Sequence, residues 1–420
     1  MDLMEPQTGI MSKLKGVSRR DFLNITRQFG VSSTMLGLAG LSGLVTLPRL
    51  AEAANSTYQK RFKTPPKVTL KFGAATINER VASIEHSGAL TFTQDIEERS
   101  DGAIRIEFIG ESQICGQLDC VKKALQGIVD IFGSSTQNAA GGAPYYNVLD
   151  YAYVFPSRAS MYHFFYHPKS EVILREPLRQ RHKLQMLFAH AELRGLMLGK
   201  GWEDKPTVTS VTQLAGTKNR VTGTQLGRIA MKLLNLNPVP IAWEETLDGL
   251  KQGLIDGAET WSSAAVHANM VPVMSQDVQL KFFAGCATAA MRLQSFEALP
   301  PDLQDAVMES AYTTQLWVQG CNEAGLFQIV GATAPPLPGT YYDKGGIRVA
   351  QLSPEALKEA EEMCSPQYQP DAWASWRERL DAWSGGHDTY RTIFDVAREI
   401  PLDKEAINVE PRRWWRSDVV

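Results

Sequence analysis

The 420-residue chain has no excess of basic residues: 43 Lys and Arg stand against 46 Asp and Glu, a formal charge of −3. That balance favours neither nucleic acid nor an anionic membrane surface as a partner. Cysteine is scarce. The five present, Cys115, Cys120, Cys286, Cys321 and Cys364, are too few for a disulfide-built scaffold. An oxidising compartment would allow one pair, and Cys115 and Cys120 are the nearest in sequence; their spacing is neither a redox nor a zinc-ribbon one, and small buried side chains are the alternative. The common catalytic devices are missing too. Gly195-Leu196-Met197-Leu198-Gly199-Lys200-Gly201 is one residue short of a phosphate-binding loop and lacks Ser or Thr after Lys200. There is no Gly-x-Ser-x-Gly elbow, no haem or iron–sulfur cysteine cluster and no Gly-x-Gly-x-x-Gly after a strand. The seven histidines, His86, His163, His167, His182, His190, His267 and His387, show no helical pairing with Glu of the zinc type. No cofactor and no metal is therefore expected, and an enzyme is disfavoured.

What is present begins at the N-terminus. Ser18-Arg19-Arg20-Asp21-Phe22-Leu23 precedes an uncharged, Gly/Ala/Leu-rich stretch from Gly30 to Leu47, followed by Ala51-Glu52-Ala53 and Ala54. A basic head, a mildly apolar middle and a small-residue cleavage site resemble a twin-arginine signal peptide spanning residues 1–53. Gly37, Gly40 and Gly43, with Ser32, Ser33 and Thr34, make the run too weakly hydrophobic for a good membrane anchor. Asp2 and Glu5 put unexpected negative charge in the head and favour a start at Met11. Without residues 1–53, 37 basic residues face 42 acidic ones, a net charge near −5. The remaining chain suffices for two lobes of ~150 residues each. It holds no second apolar run of roughly eighteen residues, so a soluble mature protein is expected.

Val68-Thr69-Leu70-Lys71-Phe72 alternates apolar and polar residues, as does Ile104-Arg105-Ile106-Glu107-Phe108, with a helix between them around Ala89 to Arg99. This is β-α-β order and implies a parallel sheet. An approximate internal echo links Val121-Lys122-Lys123-Ala124-Leu125-Gln126-Gly127-Ile128-Val129-Asp130-Ile131 with Thr246-Leu247-Asp248-Gly249-Leu250-Lys251-Gln252-Gly253-Leu254-Ile255-Asp256-Gly257. In both, an amphipathic helix ends on Gln-Gly, whose glycine can take the left-handed cap, and an apolar strand bearing Asp follows. Two α/β lobes built alike place a ligand at their shared cleft, beyond the carboxyl ends of the strands. Those ends are Ala75 to Glu79, Gly133 to Thr136, Arg220 to Thr224 and Glu259 to Trp261. Beyond Pro300-Pro301, apolar positions at Leu303, Val307, Ala311, Trp317, Cys321 and Ala324 predict a long helix that braces both lobes. The aromatic tail, with Trp373, Trp376, Trp383, Trp414 and Trp415, is read as packing against them.

Three stretches carry a family resemblance: Leu214-Ala215-Gly216-Thr217-Lys218-Asn219-Arg220-Val221, Leu236-Asn237-Pro238-Val239-Pro240, and Leu250-Lys251-Gln252-Gly253-Leu254-Ile255-Asp256-Gly257-Ala258-Glu259. With Gly110 to Asp130 and Leu299-Pro300-Pro301-Asp302-Leu303-Gln304, they make Val68 to Glu323 resemble the extracytoplasmic solute-binding subunit of tripartite ATP-independent periplasmic (TRAP) transporters, the DctP type. The resemblance implies an α/β, two-lobed periplasmic binding protein, type II-like, with a hinge and a bracing helix. It implies lobe 1 at residues 67–193 with about 283–325 returning to it, lobe 2 at 194–282 with about 326–390 packing on it, and a tail at 391–420. The implied partners are a small organic acid and the membrane permease subunits. The implied compartment is the periplasm, reached through the twin-arginine export machinery.

By the same resemblance Arg220 holds the ligand carboxylate, a task its planar pair of N–H donors suits. Relatives follow Asp-Gly-x-Glu with asparagine, whereas Glu259 is followed here by Thr260 and Trp261, a hydroxyl and an aromatic wall. Where many relatives carry a second arginine, Met197 or Leu198 stands, which argues for a monocarboxylate; Arg194 has the wrong register to compensate unless the loop shifts. Asn78 and Glu79 are further candidates for ligand contacts, with Trp202, Tyr145 and Tyr146 as weaker wall candidates. No full cation ligand set is visible beside Glu259. An exported enzyme and a binding module feeding a sensor are the rival readings.

Overall fold

The alternating and apolar runs become eleven strands among the described residues: β1 (Val68–Ala74), β2 (Ile104–Ile109), β3 (Ile131–Ser135), β4 (Leu184–Ala189), β5 (Glu192–Gly199), β6 (Lys218–Val221), β7 (Asn237–Pro240), β8 (Gly257–Thr260), β9 (Met274–Gly285), β10 (Ala287–Arg292) and β11 (Arg348–Ala350). The computed structural model describes Phe62, residues 65–75 and residues 87–416. The signal segment 1–53 and Asn78, Glu79 and His86 lie outside the described residues. Residues 65–75 and 87–416 belong to one compact unit.

The strands form two sheets, ordered β2-β1-β3-β10-β4 and β11-β9-β5-β8-β6-β7, one per lobe. This is the two-lobed α/β architecture expected. In the first lobe β1 runs parallel to both β2 and β3, and β10 returns antiparallel between β3 and β4. Leu70 and Phe72 face inward from β1, and the helix Ser87–Arg99 covers them with Ala89, Phe92 and Ile96, spaced three and four apart. Phe72 meets Phe92 and Phe108 edge-on at 6.4 and 5.3 Å between ring centroids. Asp101 and Gly102, both at positive φ, end the helix.

The internal echo has a structural cause. Gly127 and Gly253 take φ of 74° and 69°, closing the helices Cys120–Leu125 and Thr246–Lys251 in the left-handed conformation only glycine adopts freely. The echoed aspartates do the same work in both lobes. Asp130 accepts the Lys71 N–H at 2.9 Å, and Asp256 accepts the Lys218 N–H at 2.7 Å. In return their own N–H groups bond the carbonyls of Lys71 and Lys218. Each aspartate thus ties its strand to the neighbouring one, which explains why the pattern recurs without touching a ligand.

The helix Pro301–Gly325 starts with Pro at its first turn, continues as a π-helical turn over Leu326–Val330, and stops at Gly331 with φ of 84°. It packs on Ser87–Arg99 and β4 of the first lobe, and the π turn reaches second-lobe elements. Its buried face departs from the expected one. After Ala311 it runs through Thr314, Gln315, Val318, Gln319 and Asn322, while Trp317 and Ala324 are exposed. The two glutamines are satisfied there: Gln315 bonds both backbone groups of Ala189, and Gln319 donates to the carbonyls of Ala406 and Val409. The C-terminal segment packs down, with Trp373 fully buried and Trp414 under the Arg175 guanidinium. Among the described residues no helix is long and apolar enough to cross a membrane.

Candidate functional site

The chain crosses between the sheets three times, at residues 190–191 from β4 to β5, at Cys286 from β9 to β10, and through the helix Pro301–Gly325 and the segment after it from β10 to β11. A buried cluster sits on the first crossing. Glu192 faces His190 at 3.0 Å, accepts from Asn322 at 3.0 Å, and accepts from the Ser263 hydroxyl. Burial works against its ionisation, but the His190 ring, the Ser263 hydroxyl and the Arg158 charge hold its carboxyl below the usual carboxylate range. The lobes also touch directly: Asn147 of the first accepts from the Thr224 hydroxyl at 3.0 Å and the Gln225 N–H at 3.1 Å of the second.

A cavity lies between the two lobes, lined by both. The first lobe gives it Gln117, Ser135 and Asn138; the second gives Arg194, Arg220, Thr222, Trp243, Thr260 and Trp261, among others. Its free volume is about 10 Å³, roughly one water's worth. The strand ends read from the sequence converge here, since Ser135, Arg220, Thr222, Thr260 and Trp261 all line it.

Arg220 leaves β6 with its side chain 1% exposed, donates from Nε to the Ile241 carbonyl at 3.1 Å, and lies 5.1 Å from the Trp243 ring centroid. Its Nη2 has no partner among the described residues. Burial, with the neighbouring Arg194 charge, pulls its pKa down to about 10 against the opposing pull of Glu259, so it remains a cation at neutral pH. Arg194 donates from Nη2 to Glu259 Oε2 at 2.5 Å, and its Nε and Nη1 have no partner among the described residues. The Trp261 ring lies 5.6 Å from its guanidinium. Two buried guanidiniums thus share one cavity and, among the described residues, keep three nitrogens unpartnered, with the Trp261 indole Nε1 unpartnered as well.

Arg194 reaches this place through a break in the ladder. It pairs with Phe283, yet Leu196 pairs with Val278, so residues 279–282 of β9 bulge against the single residue Gly195. A side chain at Gly195 would meet the Val278 carbonyl oxygen at 2.2 Å, which makes the glycine obligatory. Lobe 1 satisfies the bulged backbone: Tyr153 N–H bonds the Phe282 carbonyl and the Tyr153 hydroxyl bonds that of Leu280. A bulge re-aims the side chains beside it. The register shift that the sequence reading would have needed for Arg194 to take part is present here.

Met197 is placed elsewhere, in the hydrophobic core of the second lobe against Ala258 and Tyr342. Glu259 is fully buried and outside the cavity lining, ion-paired to Arg194. Burial pushes its carboxyl up, opposed by the Arg194 and Arg220 charges. Tyr145, Tyr146 and Trp202 are core residues that do not line the cavity. Sequence reasoning missed Gln117, Asn138, Trp243 and His267. Trp243 follows the end of β7, and Asn138 lies in the helical turn Thr136–Ala139 directly after β3, so the strand-end rule carried one turn further would have found both. Gln117 is held by a staple. Cys115 and Cys120, left open in the sequence reading, form a disulfide around it, and its amide oxygen accepts from the Ser134 hydroxyl at 2.9 Å and the Ser135 N–H at 3.0 Å.

A model of the DctP family, described as bacterial extracellular solute-binding protein, family 7, matches residues 76–374. A solute-binding protein of Roseobacter denitrificans is 26% identical over 285 residues, 67% of this chain and 82% of that protein. An uncharacterized protein of Salmonella typhimurium is 26% identical over 175 residues, 40% of this chain and about half of that protein, 49%. Two crystal structures show the same fold. A TRAP periplasmic solute-binding protein from Roseobacter denitrificans with bound L-galactonate has a TM-score of 0.62 at 21% identity, covering 76% of this chain and 99% of that one. One from Sulfurospirillum deleyianum with bound succinate has a TM-score of 0.64 at 17% identity, covering 79% and 100%.

Proposed function

Because the chain belongs to the DctP family of bacterial extracellular solute-binding proteins, we propose that it captures a small organic acid anion and delivers it to the membrane permease subunits of a TRAP transporter. The observation that carries this reading is the pair of buried arginines facing one interlobe cavity with unpartnered N–H groups. A carboxylate meets such donors in parallel pairs, and a desolvated guanidinium gains most from an anion. The Arg19-Arg20 segment supports delivery to the periplasm by the twin-arginine machinery.

The charge count favours one carboxylate. Arg194 is ion-paired to Glu259, whereas Arg220 makes no ion pair among the described residues. Arg220 then contributes the cavity's uncompensated positive charge. The preference for a monocarboxylate so rests on the Arg194–Glu259 pair rather than on Met197. Hydroxyl-rich acids such as the galactonate of the Roseobacter relative suit the polar lining of Gln117, Ser135, Asn138, Thr222 and Thr260.

Ligand sites for small molecules occupy roughly 300–1,000 Å³. A cavity of about 10 Å³ must therefore open before a six-carbon acid enters. The lobes would part about the crossings at residues 190–191 and Cys286 and the connection from the helix Pro301–Gly325 to β11. Closure would be favoured by the ligand's differential contacts with both lobes.

Native mass spectrometry of the protein as purified, followed by calorimetry with aldonates, hydroxy acids and dicarboxylates, tests this reading. The expected result is one monocarboxylate per chain, bound without turnover. Catalytic consumption of a bound acid would move the protein to the enzyme class, and a dicarboxylate preference would remove the one-carboxylate reading.

A further inference from the structure

Outside the cleft, the first lobe brings together two imidazoles and a carboxylate that the solute site does not use. The helix Arg158–Tyr166 is capped by His167, which stands one turn after His163, with ring centroids 5.6 Å apart. Glu399 arrives from the turn after the helix Thr389–Val396 and sets Oε2 at 3.0 Å from His163 Nε2 and 3.4 Å from His167 Nε2. The turn is fixed independently of that contact. Arg398 beside it donates to the carbonyls of Tyr153 and Val154 at 3.1 and 3.0 Å and lies 3.3 Å from the Phe394 ring centroid.

We propose that His163, His167 and Glu399 form a binding site for a divalent late transition-metal ion, with zinc as the reference ion. Bonds of 2.0–2.2 Å to nitrogen and oxygen in a tetrahedral site put the ligand atoms roughly 3.3 Å from one another. The donors here stand at 3.0 and 3.4 Å, and all three lie within 4.8 Å of one another. Two imidazoles with one carboxylate suit zinc, copper, nickel or cobalt, whereas calcium and magnesium want oxygen ligands alone. The side chains keep 23%, 21% and 41% of their surface exposed, so an ion can enter, and a cavity of about 480 Å³ beside the histidines leaves the fourth position to water or an anion. The Lys169 N–H points at His167 Nδ1 at 3.1 Å, a contact the ring gives up when Nε2 binds metal with Nδ1 protonated. Bound metal would tie the segment after residue 396 to the first lobe, joining ends of the chain separated by more than two hundred residues.

The test uses the signal-free protein, freed of any affinity tag and stripped by chelator, titrated calorimetrically with zinc sulfate. One zinc per chain is expected, with a raised melting temperature. His163→Ala and Glu399→Gln should each weaken zinc at least tenfold, on the scale of lost metal-site partners, while leaving aldonate titrations unchanged. Cobalt substitution should give tetrahedral visible bands that Glu399→Gln alters. Absence of stoichiometric zinc uptake by the wild type, or wild-type affinity in His163→Ala/His167→Ala, would overturn the proposal. Neither result bears on the cleft, so failure here is distinguishable from failure of the solute reading.

Discussion

Replacing Glu259 with glutamine should change which acids the cleft prefers. The carboxylate stands 2.5 Å from Arg194 Nη2 and is the charge that meets that guanidinium. Glutamine keeps an acceptor oxygen of the same shape but removes the charge, so Arg194 joins Arg220 as an unbalanced cation. A unit charge pair at about 4 Å and an effective dielectric near 20 interacts by about 4 kcal/mol. Desolvating a second carboxylate offsets much of this, leaving about 1–2 kcal/mol, a gain of roughly 5- to 30-fold for dicarboxylates over monocarboxylates. The assay is titration calorimetry with an aldonate and the aldarate of the same carbon chain, which differ only in the second carboxylate. Removing the partner of a buried charge costs up to about 3–5 kcal/mol of stability, so a cooperative melt must accompany the titration. A folded variant whose aldarate-to-aldonate ratio matches wild type, or falls, refutes the charge count.

Arg220→Ala should raise the dissociation constant for the bound acid by roughly 30- to 1,000-fold, the 2–4 kcal/mol of a truncated buried charge pair; unchanged affinity by calorimetry would remove Arg220 from the site. Cys115→Ser/Cys120→Ser should lower stability by roughly 2 kcal/mol on loop-closure arithmetic, about 3 °C in a chain of this size, and weaken the ligand through the freed Gln117 loop; equal affinity with and without the disulfide would separate the staple from the site. Asp277 is buried and accepts from Ser262, Tyr342 and Gln279 through one oxygen, and burial raises its pKa to about 6. Because the folded value lies above the unfolded one, its contribution is fully present below about pH 4 and is lost as pH rises through 6, a swing of about 3 kcal/mol. Asp277→Asn should flatten that part of the urea-midpoint profile between pH 4 and 7; a profile parallel to wild type would show that Asp277 does not titrate there.

Strand placement was legible because β1 and β2 alternate cleanly and because the Gln-Gly turns need left-handed glycine at the same place in each lobe. The cleft was legible to the extent that it is made of strand ends. Two features broke the reading, and both are tertiary. The long helix buries Gln315, Gln319 and Asn322, whose partners Ala189, Ala406 and Glu192 come from distant parts of the chain, so hydrophobic spacing mis-assigned its face beyond Ala311. In β9 the four-residue bulge opposite Gly195 shifts the register beside Arg194, and the cleft has Arg194 where the resemblance had placed Met197. A glycine inside an otherwise apolar strand was the available signal, since such glycines mark bulges and close backbone approach.

The bulge also bears on how closure and ligand capture are coupled. Arg194 belongs to β5, one residue group beyond the crossing at residues 190–191, and Gly285 ends β9 at the Cys286 crossing, packed against Trp261 and Arg194. The ligand-facing guanidinium is therefore mounted on the segment that any opening must bend. Closing the lobes over Arg194 and Arg220 brings two like charges into a small, poorly solvated cavity, and the depressed pKa of Arg220 registers that cost. The Asn147 contacts with Thr224 and Gln225 favour the closed form regardless of ligand, at roughly 1 kcal/mol per neutral hydrogen bond. Under the proposed reading an anion offsets the repulsion and pairs the free N–H groups of both second-lobe arginines, while Gln117, Ser135 and Asn138 meet it from the first lobe. A neutral sugar of the same shape would fill the cavity but leave the arginines unpaired, so under the proposed reading an acid is preferred to its neutral analogue.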